Sequence, residues 1–401
     1  MKREKGSVAI IGGGINGMFC AYYLLKLGYK VTVIDRNRKG LTSRNNAGLL
    51  QPSLAPAPEM SYTDIIKAST VGLGPVYISP RQIAKNVPWF VDALKNRKSK
   101  EDHFLIYLGQ RSLELYSQFF EKEGVDADVI KGVATLFKER DDAKAFADLH
   151  DARFISKEKI HKLGYRNFGG GAMFDRELSI NPMKLFDGVK TLIKSMGAQM
   201  LLGHGARFNI RGAEISSVQV GKTRINADNY LAASGSWLNE LLKNLDYNPM
   251  IIPARGMVFL FSTGDRRIVS VPSLIEPEGI AIAQHSDNLL RATSFFEFKG
   301  IDGEFDYKRR RWMLDAVKEH ISKFSSMRVI YSGYGFRPCT PDQVPVIGRV
   351  PGYSNLFIAG GQCRSGVTLA PLTGKIISSL IEGKKPSIKH LEKMSPKRFV
   401  G

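Results

Sequence analysis

The 401-residue sequence has few cysteines: Cys20, Cys339 and Cys363 are the three present, and they lie far apart along the chain. Their spacing matches neither a zinc-ligand pattern nor the dense cysteine framework of small secreted domains. The sequence therefore predicts neither a zinc site nor a disulfide framework. With 43% hydrophobic residues the chain can form a large core, and its length favours two domains.

Long apolar runs are also missing. No run reaches the roughly 18 residues that a membrane-spanning helix needs. The first residues, MKREKGSVAI, lead directly into a predicted strand and leave no room for a signal peptide. We therefore expect a protein that is made and kept in the cytoplasm.

Acidic residues are scarce relative to basic ones: 38 Asp and Glu stand against 58 Lys and Arg, which gives a net charge of +20. This excess favours anionic partners, although a lysine-rich solvated surface explains it equally well. Basic residues cluster at 95–100, 308–311 and 384–398, without the interleaved aromatics of a single-strand-binding surface. We expect no nucleic-acid partner and favour a peripheral association with an anionic membrane surface.

The most informative motif lies in VAIIGGGINGMFCAYYLLKLGYKVTVIDR, residues 8–36, where a strand, a glycine turn, a helix and a second strand are predicted. Gly12, Gly14 and Gly17 have the G-x-G-x-x-G spacing. In this motif the first glycine allows a tight turn, the second lets the backbone approach a pyrophosphate, and the third lets the helix pack closely on the strand. The helix N-terminus would donate N–H groups to phosphates. Asp35, at the tip of the second strand, would accept from a ribose 2′-hydroxyl. This setting predicts NAD or FAD as the ligand.

A second glycine motif, in NLFIAGGQCRSGVTLAPLTGKIISSLIEG at 355–383, separates these two coenzymes. A buried strand ending at Gly361 is followed by a loop and by a helix predicted to begin near 366–368. A second helix N-terminus is thus aimed at the site. Reduced flavin carries negative charge over N1 and the C2 oxygen, which such a terminus stabilises, whereas nicotinamide needs no such group. We therefore predict FAD.

Between these motifs, periodicity predicts the remaining elements. We expect amphipathic helices at 81–123, a strand at 131–140 and a helix at 185–196. A small meander with a final buried strand is expected at 206–237, and a further helix at 307–324. In the segment 41–58, Thr42 or Ser43 is placed to cap a short helix, and the prolines enforce an extended, ordered loop.

The chain resembles the FAD-dependent D-amino-acid oxidase superfamily over nearly its whole length. The likeness is carried by the two glycine motifs and by TSRNNAGLLQPS (42–53), AASGSWLNELL (232–242) and GFRPCTPDQVPVIGR (335–349). LLRATSFFEFKGID (289–302), followed by RRRW, is similar to bacterial D-amino-acid dehydrogenases, peripheral membrane enzymes that reduce quinone. GGQCRSGVTLAPLTG (360–374) is more similar to glycine oxidase, which uses oxygen.

The resemblance implies an α/β fold with a glutathione-reductase-type, Rossmann-like FAD-binding domain and a second α+β substrate domain built on an antiparallel sheet. The FAD-binding domain is expected to comprise residues 1–80, 140–245 and 328–401. The substrate domain is expected to comprise residues 81–139 and 246–327. The coenzyme-binding elements are thus divided between the two ends and the middle of the chain.

The resemblance also implies the residues of the site. Those expected to contact FAD are Gly12, Gly14, Ile15, Asn16, Gly17, Asp35, Arg36, Ser43, Asn46, Ala47, Gly48, Leu49, Ala206, Ser234, Gly235, Trp237, Gly361, Arg364, Gly366, Val367 and Thr368. Arg337, in the G-x-R-P motif, is expected to bind the substrate carboxylate, with Arg364 near the same pocket. The alternative for Arg337 is a structural role, paired with Asp342 or a backbone carbonyl.

The activity that the resemblance implies is oxidation of D-amino acids to imino acids, which hydrolyse to 2-oxo acids and ammonia, with electrons passing to a quinone or another acceptor. One rival is an oxygen-using oxidase of glycine, sarcosine or proline. A third interpretation is a flavin-dependent RNA-modifying enzyme, since this fold occurs in one. If the α-hydrogen leaves as a hydride, no base is needed to break the C–H bond, so positioning dominates catalysis. We predict no catalytic base.

Overall fold

The computed structural model describes residues 5–38, 40–54, 75–95, 102–276, 278–301 and 306–400. The strands are β1 (Ser7–Ile11), β2 (Lys30–Asp35), β3 (Leu49–Leu50), β4 (Val76–Ile78), β5 (Ile130–Phe137), β6 (Arg153–Ser156), β7 (Gly170–Ser179), β8 (Gln199–Leu202), β9 (Ala206–Arg211), β10 (Glu214–Val220), β11 (Thr223–Ile225), β12 (Asn229–Ala232), β13 (Ile252–Ser262), β14 (Ser273–Ile275), β15 (Ile280–Ser286), β16 (Leu289–Phe298), β17 (Arg328–Cys339), β18 (Val346–Arg349) and β19 (Leu356–Gly360).

The helices are distributed along the whole described chain. They are α1 (Ile15–Lys26), α2 (Leu41–Arg44), α3 (Pro80–Lys85), α4 (Val87–Lys95), α5 (Asp102–Glu123), α6 (Arg140–Leu149), α7 (Lys157–Lys162), α8 (Pro182–Ser195), α9 (Leu238–Leu241), α10 (Tyr307–His320) and α11 (Ala370–Ile381).

A six-stranded sheet in the order β18-β19-β12-β1-β2-β8 forms the Rossmann-like part. Its strands are parallel except for β18, which runs antiparallel to β19. Apolar side chains of β1 alternate between two cores. Ile10 packs in the cluster that includes α1, α8 and α11, whereas Ala9 packs in the cluster with the β9–β10–β11 meander. Burial on both faces explains the nearly continuous apolar runs of these strands.

The second sheet follows the order β17-β13-β16-β15-β14-β5-β7-β3, with β4 added beside β16 and β6 beside β7. Its pairs are antiparallel except β14–β5 and β16–β4. Helix α10 packs on this sheet through Met313 and Val317. The predicted fold class, a Rossmann-like FAD-binding fold with an antiparallel-sheet part, is confirmed.

Sheet membership crosses the residue ranges that the sequence suggested for the two domains. Strands β7 and β17 fall in ranges predicted for the coenzyme domain, yet they pair with β5 and β13 in the large sheet. The local sequence of such a strand does not show which of the two sheets it joins, because its pairing partners are distant in sequence. The domain boundaries stay a prediction.

The predicted helices, the strand at 131–140 and the meander are present, with differences at several ends. Helix α10 stops at His320 because Ile321 adopts an extended conformation and forms a β-bridge with Tyr165. Ser43 lies inside α2 instead of capping it, and its hydroxyl accepts a hydrogen bond from the Ile15 N–H at 3.0 Å. Residues 55–58 of the predicted proline loop and 96–101 of the predicted helical region lie outside the described residues.

One buried acid in the large sheet makes stability depend on pH. Glu177, on β7, accepts hydrogen bonds from the Ser53 N–H at 2.8 Å and hydroxyl at 2.5 Å, and burial raises its pKa from 4.5 to about 7. The folded protein therefore binds more protons than the unfolded chain between these pH values, so stability falls as pH rises through this window.

The variant Glu177→Gln keeps the acceptor oxygen for Ser53 but cannot ionise. We expect the unfolding free energy of the variant minus that of the wild type to be about 1–3 kcal/mol larger at pH 8 than at pH 4. Urea unfolding at both pH values measures this difference. The matched control is Glu121→Gln at an exposed position of α5, which should show no such pH-dependent gain. Equal gains in the two variants would contradict the assignment to Glu177.

Candidate functional site

A cavity of about 1090 Å³ is lined by residues from both sheets. The volume is slightly above the usual range for ligand pockets, about 300–1,000 Å³. Its walls include the first glycine turn, the segment after α2, the start of the meander, the end of β17 and the loop after β19. The cavity therefore has room for a long ligand and a small molecule beside it.

The first glycine turn brings the backbone close to this cavity. Gly12 has φ +124°, and a Cβ there would clash with the backbone of Ala233. A Cβ at Gly17 would clash with the Gly12 carbonyl, so both glycines are required by protein packing. At Gly14, by contrast, the added Cβ would meet only the Ser43 hydroxyl, at 3.4 Å. The open space beside Gly14 is where a phosphate could approach the N-terminus of α1.

Asn16 joins the two ends of the chain at this point. Its Nδ2 donates to the Gly366 carbonyl at 3.0 Å, and its Oδ1 accepts from Gln362 Nε2 at 3.4 Å. The Tyr116 hydroxyl donates to the Val367 carbonyl at 2.7 Å, which fixes the same loop from α5. The two glycine motifs predicted to converge on one coenzyme are therefore in direct contact.

The loop after β19 differs in detail from the prediction. Residues Cys363–Ser365 form a 3₁₀ turn, and α11 begins at Ala370 rather than at 366–368. Gly366, Val367 and Thr368 still line the cavity, as turn residues that precede the helix. The donors that this loop offers to a ligand are therefore the N–H groups of these turn residues, rather than the N-terminus of α11.

Asp35, the predicted ribose ligand, lines the cavity at the tip of β2. Its Oδ2 accepts from the Gly13 N–H and its Oδ1 from the Asn37 N–H, both at 2.6 Å. These bonds hold the carboxylate in place beside the glycine turn. Because a carboxylate has about four lone-pair sites, it can accept further hydrogen bonds from a diol.

Most of the predicted coenzyme residues line this one cavity: Gly12, Gly14, Ile15, Asn16, Asp35, Arg36, Ser43, Asn46, Ala47, Leu49, Ala206, Ser234, Gly235, Trp237, Arg364, Gly366, Val367 and Thr368. Gly17, Gly48 and Gly361 do not line it. A Cβ at Gly48 would clash with the Ile180 carbonyl, and one at Gly361 would lie 2.7 Å from Thr340 Cγ2. These glycines allow close packing that supports the wall.

Arg337 also lines the cavity, at the end of β17. Its Nη1 donates to the Phe295 carbonyl at 2.7 Å. Phe295 has φ +74°, an unusual conformation for a non-glycine residue, within an irregular stretch of β16, and the Arg309 guanidinium lies 4.4 Å from its ring centroid. The local backbone thus turns a carbonyl toward Arg337. Asp342, the other structural partner considered, instead accepts from Arg398 at 3.0 Å.

The cavity is electropositive beside Arg337. Burial, and then the nearby Arg364, lower the pKa of Arg337 to about 10, so its guanidinium stays charged at neutral pH. Burial also lowers the pKa of Arg364, while the carboxyl of Glu276 opposes that change. Two neighbouring guanidinium groups favour the binding of an anion such as a carboxylate.

Several cavity residues were missed by the sequence reasoning. Glu276 lines the cavity, and burial raises the pKa of its carboxyl. Apolar side chains line the cavity as well, among them Trp89, Phe90, Met257 and Phe296. Apart from Phe296, which lies in LLRATSFFEFKGID, these residues belong to elements without a motif, so only their place in the tertiary structure identifies them.

The cysteine spacing indicated no disulfide framework, yet the structure contains one disulfide. Cys339 and Cys363 form a disulfide with a Cα–Cα distance of 4.3 Å, although 24 positions separate them in sequence. Their spacing matched no known framework, and only the contact between the end of β17 and the loop after β19 brings them together. Among the described residues, no cluster of metal-ligating side chains is present.

Within the same described ranges, no helix combines the length and apolar character required to cross a membrane.

Comparisons with known proteins agree with this geometry. A family model described as DAO, FAD dependent oxidoreductase, matches residues 7–380. A D-amino acid dehydrogenase of Helicobacter pylori is 26% identical over 402 residues, 95% of each chain. Iminodiacetate oxidase of Chelativorans sp. BNC1 superposes with a TM-score of 0.78 at 18% identity, over 97% of this chain and 98% of that one. Glycine oxidase of Bacillus cereus gives 0.75 at 18% identity, over 97% and 100%.

Proposed function

The chain belongs to the DAO family of FAD-dependent oxidoreductases, and we propose that it is a dehydrogenase that oxidises D-amino acids to imino acids. Spontaneous hydrolysis then yields a 2-oxo acid and ammonia. The observation that carries the proposal is the charged guanidinium of Arg337, held on the wall of the cavity that also contains the coenzyme residues. The 26% identity to a D-amino acid dehydrogenase supports the choice of substrate class.

The residues present fit FAD. The open space beside Gly14 is suited to a pyrophosphate. The carboxylate of Asp35 is suited to a ribose, and the N–H groups of 366–368 are suited to the electron-rich edge of a flavin. When bound, FAD supplies the two-electron acceptor of the reaction. In our proposal Asp35 binds the adenosine ribose, and the turn before α11 binds the pyrimidine edge.

Arg337 would bind the substrate carboxylate through two parallel, charge-assisted hydrogen bonds. The bond to the Phe295 carbonyl fixes the orientation of the guanidinium, which leaves less freedom to be lost on binding. Arg364 adds positive charge to the same region. The aromatic and aliphatic wall, including Trp89 and Phe296, would exclude water from the reacting carbon. Positioning of the α-hydrogen is then the main contribution of the protein.

Anaerobic titration of the FAD-loaded protein with D-amino acids, L-amino acids and 2-hydroxy acids tests the substrate class. We expect D-amino acids to bleach the visible flavin absorbance and the other two classes to leave it unchanged. Bleaching by 2-hydroxy acids alone would contradict an amino-acid substrate. Bleaching by L-amino acids alone would keep the reaction type and reverse the chirality.

We also propose that the electrons pass to a quinone at an anionic membrane surface, with the protein on the cytoplasmic side and associated peripherally. The net charge of +20 supports this, because each basic residue near an anionic leaflet contributes on the order of 1 kcal/mol to binding. We expect turnover with a quinone embedded in phosphatidylserine vesicles to exceed turnover with the same quinone in neutral vesicles, and the difference to shrink as salt rises. Peroxide should not accumulate stoichiometrically.

The rival function is an oxygen-using oxidase of glycine, sarcosine or proline. It is favoured by the superposition on glycine oxidase and by the second arginine, Arg364, in the cavity. Stoichiometric peroxide with glycine or sarcosine as substrate would select this alternative. Rapid turnover with quinone in the absence of peroxide would select the dehydrogenase.

A further inference from the structure

The disulfide between Cys339 and Cys363 connects the two segments that carry the arginines of the cavity. Cys339 lies two residues after Arg337 at the end of β17, and Cys363 directly precedes Arg364. A backbone β-bridge between Cys339 and Gln362 aligns the segments. Gly361, at φ +75°, makes this approach possible because a Cβ there would press on Thr340.

Both cysteines line the cavity and are shielded from bulk solvent. Cys339 is 1% exposed and Cys363 is 6% exposed. They pack in an apolar cluster with Trp89 and Phe298, which also line the cavity, and the Trp89 indole N–H donates to the Cys339 carbonyl at 3.1 Å. A reductant that acts from within the cavity therefore has better access to the sulfurs than one in solution.

The disulfide is also close to the segment that we propose contacts the flavin. Cys363 begins the 3₁₀ turn that leads to Gly366. At a rise of about 2 Å per residue, the two residues are separated by roughly 6 Å along this turn. Val367 and Thr368 follow directly and line the same cavity. A flavin edge bound at these residues would lie within reach of the disulfide.

We propose that Cys339 and Cys363 form a second redox centre, a disulfide that exchanges two electrons with the reduced flavin of the holoenzyme. The S–S bond breaks and accepts two electrons, and two protons give two thiols. The electrons come from the reduced coenzyme, which returns to its oxidised form. One proton comes from that coenzyme and the other from solvent. The proposal rests on the proposed function in one respect: that function makes an amino acid the original source of the electrons.

A purely structural cross-link is the competing explanation. In a compartment that keeps thiols reduced, disulfides are usually catalytic or redox-sensing rather than structural. The position of the pair favours the redox role, because both buried cysteines line the cavity, each within two residues of an arginine that also lines it, instead of joining surface loops. The two explanations differ in whether the bond opens when the flavin is reduced.

The test counts thiols in the FAD-loaded full-length protein under anaerobic conditions. The flavin is reduced in one arm by a D-amino acid and in another by light with a deazaflavin, and the protein is then acid-quenched, denatured and labelled with N-ethylmaleimide for mass spectrometry. Cys20 is a free thiol and serves as the internal reference. We expect one label per chain before reduction and three after it, with about four electrons taken up per flavin rather than two.

The double variant Cys339→Ser and Cys363→Ser is the control: its flavin should accept two electrons, with one label throughout. One label in the wild type after complete flavin reduction would overturn the proposal, and so would three labels before any reduction. If no amino acid bleaches the flavin, the light-driven arm still decides the matter. Failure of the redox centre and failure of the amino-acid function are therefore distinguishable.

Discussion

We expect replacement of Arg337 by methionine to lower kcat/KM for the amino-acid substrate by about a hundredfold to ten-thousandfold, mainly through KM, while FAD remains bound. Two hydrogen bonds between charged groups are lost, each worth roughly 1.5–3 kcal/mol, and each 1.4 kcal/mol corresponds to a factor of ten. Methionine keeps similar length and apolar volume, so the wall of the cavity is preserved. Steady-state kinetics and the ratio of flavin to protein absorbance measure both parts of this result.

Two further variants make the result specific to the guanidinium. Arg328→Met lies on the same strand, at its exposed opposite end, and should leave kcat/KM unchanged. Arg337→Lys keeps the charge but cannot form the paired bonds, so we expect an intermediate loss. A wild-type KM in the Arg337→Met protein would remove Arg337 from substrate binding and leave it with the structural bond to Phe295.

The second large effect concerns the coenzyme. We expect Gly14→Val to weaken FAD binding by at least about a hundredfold and to give a colourless protein that still folds. The valine Cβ is tolerated by the protein, since Gly14 has φ −72° and ψ 175° and only the Ser43 hydroxyl lies within 4 Å. Its methyl groups would occupy the space where the pyrophosphate approaches, at a cost of overpacking and of lost phosphate bonds.

Flavin content after purification, reconstitution with added FAD, and thermal unfolding of the apoprotein measure this effect. The matched comparison is Gly12→Ala, where the new Cβ clashes with the Ala233 backbone at φ +124°. That variant should lose folding stability itself, whereas apo Gly14→Val should unfold close to the wild-type apoprotein. A yellow Gly14→Val protein with normal affinity would place the pyrophosphate elsewhere.

These contrasting glycines show what can be predicted from a local motif. Gly17 is required by a contact with the Gly12 carbonyl within one strand–turn–helix unit, and the spacing alone predicts this packing role correctly. Gly12 has the φ of +124° of a tight turn, as predicted, although its close contact with Ala233 involves a distant segment. Asp35, the last residue of the second strand of that unit, is fixed by the neighbouring Gly13 N–H, so its place beside the glycine turn could be predicted, while its role as the ribose ligand stays a prediction. Such features depend on residues close in sequence, so they can be inferred without a tertiary structure.

Features formed by distant segments were predicted less well. Thr42 or Ser43 was expected to cap the short helix, but both lie inside it, and the Ser43 hydroxyl instead accepts from the Ile15 N–H, 28 residues away. Ile321 leaves the predicted helix because a bridge to Tyr165 competes for its backbone. Neither partner can be recognised from local periodicity, since the preference arises only when the segments meet.

The sequence by itself determined the coenzyme class and the main elements, because these depend on glycine spacing and on local periodicity, and the family resemblance singled out Arg337 as the residue expected to bind the substrate. Only the tertiary structure decided that Asn16 contacts Gly366, that Phe295 orients Arg337 and that Cys339 joins Cys363. The physical reason is that these contacts connect parts of the chain far apart in sequence, and their energies depend on how two sheets pack around one cavity.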